Sequence, residues 1–164
     1  MKKFGAWALF TVVLYVLQSS LVPLIGWHEI SADLLLVAVV CVSVLRGSQE
    51  GVLFGFLAGL LQDLATGTFF GVNIFSKMVI GYGTGAFSRH FVKEQVFLPL
   101  LAVVGASVAN YFIILMFMML LGYRFDWMEQ VSGLLLPMTA YNAVFAFPVH
   151  LWTRKLVERF LSKK

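Results

Sequence analysis

Of the 164 residues, 60% are apolar, 15% aromatic and only 12% charged, and the mean hydropathy is +0.90. Soluble domains carry about a quarter charged residues, so the composition excludes a soluble globular domain, a disordered chain, collagen and a coiled coil, and makes a bilayer the implied solvent. The single cysteine, Cys41, excludes a disulfide framework within the chain and a Cys-based zinc site; the net charge of +4 includes no basic cluster interleaved with aromatics, which argues against nucleic acid.

A spanning helix needs about 20 mostly apolar residues, fewer when its ends are anchored by snorkelling side chains. Six candidates follow in chain order, at residues 4–25, 33–45, 49–65, 70–87, 95–122 and 131–152. They predict an all-α membrane protein in a single integral membrane domain.

The first span follows Lys2 and Lys3 and imitates a secretory signal peptide. Leu17 and Gln18 stand where a cleavage site needs small residues, and the apolar run continues to Ile25, so it reads as uncleaved. The second span would reach only about 20 Å. It therefore needs Ser31 and Arg46 as interfacial ends, or thinned lipid, or a re-entrant arrangement with the third span.

The third span carries Gly51, Gly55 and Gly59 at intervals of four, one helical face, and Asp63 close to its outer end. Gly67 and Gly71 bracket the next turn, where positive backbone angles or a tight helix start favour glycine. The fourth span holds Asn73, Lys77, Gly81 and Gly85, and the fifth holds Gly105, Ala109 and Asn110. Small residues on one face let helices approach closely in lipid, so these glycines serve either packing within the chain or the docking of a partner. The last span contains Pro137 and Pro148 with Thr139, Tyr141 and Asn142 between them. Proline frees backbone carbonyls that lipid cannot satisfy, so this helix should face the bundle. Arg154, Lys155, Arg159, Lys163 and Lys164 form a basic tail suited to anionic lipid, a topology anchor or a partner.

With the N-terminus cytoplasmic, the inner segments hold Lys2, Lys3, Arg46, Arg89, Lys93, Arg154, Lys155, Arg159, Lys163 and Lys164, and the outer loops only Arg124. That bias requires an even number of spans, with both termini inside. Trp7, Trp27, Trp127 and Trp152 fall at predicted span ends, where indoles anchor.

Catalytic patterns are missing. The run Gly71 to Lys77 resembles a phosphate loop, but Ser76 replaces its second glycine and Met78 its hydroxyl residue; Gly81, Gly83 and Ala86 follow no strand. His28, His90 and His150 are too dispersed to share a metal, and no cofactor is implied. Ionisable groups deep in a span cost about 2.5–3.5 kcal/mol each on insertion scales, so Asp63, Lys77 and the polar Asn110 need partners or a purpose. Antiparallel spans three and four predict an Asp63–Lys77 pair, which either welds that hairpin or serves a ligand or partner site.

Residues 32–85 resemble the rod shape-determining protein MreD family. The resemblance rests on Asp33 opening the second span, Arg46 and Gly47 in the inner turn, the run GFLAGLLQD from Gly55 to Asp63, and the Gly67–Gly71 turn followed by Asn73. It implies a non-enzymatic scaffold of the elongation machinery that controls cell shape and lateral peptidoglycan synthesis. Implied partners are MreC and, directly or through it, RodA, a penicillin-binding transpeptidase and MreB filaments. The family is also similar in fold to the substrate-capturing subunits of energy-coupling-factor vitamin transporters, which supplies the rival reading. A vitamin site would need outer-loop residues such as His28, Glu29, Arg124 and Asp126 to converge. A scaffold needs a lipid-facing groove, for which the glycine faces of spans three and four are the best candidate. A lipid-handling or ion-conducting protein would need a row of facing ionisable residues, which this sequence lacks.

Overall fold

The segment LLLVAVVCVSVLR is apolar around its whole circumference, and such a helix has no polar face to turn outward. In the computed structural model, which describes residues 2–20, 32–67, 69–89, 97–124 and 126–161, this segment is a helix with every residue from Leu34 to Val44 buried. The other helices close around it. In chain order they are α1 (Lys2–Ser20), the central α2 (Leu34–Arg46), α3 (Ser48–Thr66), α4 (Val72–Ser88), α5 (Phe97–Leu120) and α6 (Leu136–Leu156). Two π-helical segments, Gln130–Leu135 and Val157–Leu161, flank α6. The described residues contain no strand.

Five of the 13 residues of α2 are valine, each costing up to about 0.7 kcal/mol of helix propensity relative to alanine. Helix forms regardless, because in apolar surroundings the backbone groups can be satisfied only by one another. Enclosure also resolves the shortness of this segment: protein rather than lipid sets the length α2 must match. A single residue, Gly47, separates α2 from α3, with φ 90° and ψ 179°.

By length and apolarity, α5 and the stretch Gln130–Arg159 each suffice to cross a membrane, while Gly5–Ser20 and Leu34–Arg46 are shorter apolar helices. Three features depart from the sequence reading. Trp7 is no interfacial anchor: it is buried and meets Phe54 edge-on with ring centroids 5.2 Å apart. Only one side of α6 faces the bundle, through Asn142, Ala146, Val149 and Thr153, and Pro148 lies on the outside. The basic residues Arg154, Lys155 and Arg159 are helical, not a separate tail. Trp27, His28, Glu29, His90, Lys93 and Lys163 lie outside the described residues.

Candidate functional site

Helices α3 and α4 form an antiparallel hairpin in which backbone meets backbone. A β-carbon placed on Gly55 would sit 2.5 Å from the Lys77 carbonyl oxygen, and one on Gly59 would sit 2.5 Å from the Asn73 carbonyl. Gly51 and Gly81 oppose each other, and a β-carbon on Gly85 would lie 2.5 Å from Ser48 Cα. Real side chains do not approach so closely, so these five positions admit glycine alone without a shift of one helix. The glycine faces are therefore occupied within the chain, and the expectation that they form a lipid-facing groove for a partner is corrected.

Asp63 seals one end of this hairpin. Its carboxylate is buried and accepts four hydrogen bonds, from Gly71 N (2.9 Å), Asn73 N (3.2 Å), Asn73 Nδ2 (2.9 Å) and Ile74 N (3.1 Å). Helix α4 has no capping side chain of its own. Asp63 supplies the cap from the neighbouring helix and sets a negative charge at the positive end of the α4 dipole. The turn that allows this needs left-handed backbone at Gly67 (φ 65°) and Gly71 (φ 101°), where a β-carbon would be strained.

Those four bonds leave Asp63 no role in pairing Lys77, and the expected Asp63–Lys77 pair does not form. Lys77 Nζ instead donates to Asp33 Oδ2 at 2.9 Å, with the Lys77 side chain wholly buried. The register of the hairpin suggested the nearest carboxylate, but Lys77 faces the central helix. Asp33 also caps α2, through Oδ1 accepting from Leu36 N at 2.9 Å. Its own amide donates to Asn142 Oδ1 (2.8 Å), and Asn142 Nδ2 donates to Ser107 Oγ (2.9 Å). One polar chain thus joins α4, α2, α6 and α5. Gln18 Oε1 ties in α1 by accepting from Leu35 N at 3.2 Å.

Gln18, Ser107 and the role of Asn142 escaped the sequence reading. Their only signal was polarity inside apolar runs. Asn110 is buried with Oδ1 unpartnered among the described residues.

At the opposite end of α2, Arg46 Nε donates to Glu50 Oε2 at 2.9 Å, and this bond raises the guanidinium above its ordinary pKa against a smaller effect of burial. Between α4 and α5 a groove of about 610 Å³ is lined by Val79, Gly83, Leu101, Ala102, Gly105 and Ala109, among others. A β-carbon at Gly83 or Gly105 would meet nothing within 4 Å. No group of three metal-ligating side chains occurs among the described residues.

Apolar helices gathered around a buried central one, with small-residue contacts and a polar chain at one end, define a helical membrane protein built from packing surfaces. The chain belongs to the family described as rod shape-determining protein MreD, whose family model matches residues 1–160. That family determines cell shape and is not a known enzyme family. No curated protein and no solved structure matches the chain, and the expected fold likeness to vitamin-capturing subunits gains no support.

Proposed function

We propose that this protein is a non-enzymatic scaffold of the bacterial cytoplasmic membrane, crossing it six times with both termini cytoplasmic. It acts in lateral peptidoglycan synthesis by binding MreC and, through it or directly, RodA, a penicillin-binding transpeptidase and MreB filaments. The family match carries the role in shape. The α4–α5 groove is the geometric support for a partner surface, because its glycines are open where those of the α3–α4 hairpin are filled. Helices associate in lipid through such small-residue faces, and the MreC transmembrane helix is the occupant proposed.

Cysteine crosslinking tests this in cells, in a Cys41→Ala background. Gly83→Cys and Gly105→Cys should give MreC adducts, whereas Leu9→Cys on exposed α1 and Val144→Cys on exposed α6 should not. Adducts only at Leu9 or Val144 would move the interface, and adducts nowhere, with no co-purification of MreC, would sink the scaffold reading.

A further inference from the structure

Helices α5 and α6 are joined where Asn142 Nδ2 donates to Ser107 Oγ. Asn110 lies three residues beyond Ser107 on α5 and Thr139 three residues before Asn142 on α6, so each shares the face of its helix that carries the Ser107–Asn142 bond. Asn110 is 2% exposed, and both Asn110 Oδ1 and Thr139 Oγ1 are buried without a hydrogen-bond partner among the described residues. Buried polar atoms in folded proteins are almost always paired, with protein or with ordered water.

The Thr139 hydroxyl is also unusual within this chain. Thr11, Ser43, Thr66, Thr84, Ser132 and Thr153 each donate to the carbonyl four residues earlier, at 2.6–2.8 Å. The corresponding acceptor for Thr139 would be Leu135, and that bond is not formed: Thr139 Oγ1 has no partner among the described residues. Thr139 therefore keeps its hydroxyl hydrogen for another acceptor.

We infer that a water molecule is bound between Asn110 and Thr139 at the α5–α6 seam. It donates one hydrogen to Asn110 Oδ1 and accepts the Thr139 hydroxyl hydrogen. Its second hydrogen is directed toward the free lone pair of Ser107 Oγ, which gives the three bonds usual for a buried water. Side chains too far apart to bond directly are commonly bridged this way. The inference is independent of MreC and of the α4–α5 groove.

The test is an experimental structure of the full chain in lipid nanodiscs, at a resolution that shows ordered water, for the natural sequence, Thr139→Ser and Thr139→Val. A peak within about 3.2 Å of both oxygens is expected in the natural sequence and in Thr139→Ser, and is expected to vanish in Thr139→Val, which keeps the shape but not the hydroxyl. No peak in the natural sequence, or a peak unchanged in Thr139→Val, would overturn the site. So would a direct Thr139–Asn110 hydrogen bond.

Discussion

Lys77 places an ammonium group where nothing but Asp33 neutralises it among the described residues, and Asp33 does three things at once: it caps α2, binds Lys77 and donates to Asn142. Breaking a buried pair by removing one partner costs about 3–5 kcal/mol. Asp33 keeps 14% side-chain exposure, which puts Lys77→Met at the low end, near 3 kcal/mol, in reversible unfolding in mixed micelles. The double variant Asp33→Asn, Lys77→Met should lose less than the two single losses together. Strict additivity would show the pair to be energetically idle. Asp63→Ala removes a cap and a charge from the start of α4 and should cost about 2 kcal/mol, with Asp63→Asn intermediate. That Asp63 and Lys77 were expensive was legible from hydropathy alone, whereas Asp33, at the start of its span, was marked only by the family resemblance. Which of them meet was not legible, because a sequence read hairpin by hairpin says nothing about how α2 packs on α4.

At the scale of helices, glycine spacing and glycine environment part company. Intervals of four assign Gly51, Gly55 and Gly59 to one face, yet the same small-residue character at Gly83 and Gly105 fronts an open groove. Whether a face is filled depends on the rotation of both helices, which spacing cannot fix. The two sets predict opposite responses. Gly55→Ala or Gly59→Ala drives a β-carbon into α4 backbone and should destabilise by about 1–3 kcal/mol. Gly83→Ala has room and should be neutral or stabilising by about 0.5–1 kcal/mol. The same micelle unfolding assay reads both, and equal losses at Gly55 and Gly83 would contradict the packing described. The π-helical segments around α6 had no counterpart in the sequence reading.

For the molecule as a whole, α2 is the post around which the other helices stand, and Cys41 at its middle is fully buried. A membrane-permeant maleimide should therefore leave Cys41 unmodified in the native protein and label it once the bundle is opened by denaturant, as mass spectrometry would show. Labelling without denaturant would mean that α2 reaches lipid or water. The all-helical character of the described residues could be read from hydropathy. The centre could not: a short apolar run looks like a weak span until the rest of the fold surrounds it. Enclosure of α2 also constrains biogenesis. The contacts of α2 are completed late in synthesis, because the backbone amide of Asp33 finds its acceptor in Asn142, more than a hundred residues downstream. A ribosome-bound chain that has not yet delivered α6 therefore holds its keystone exposed on the side that α6 will cover.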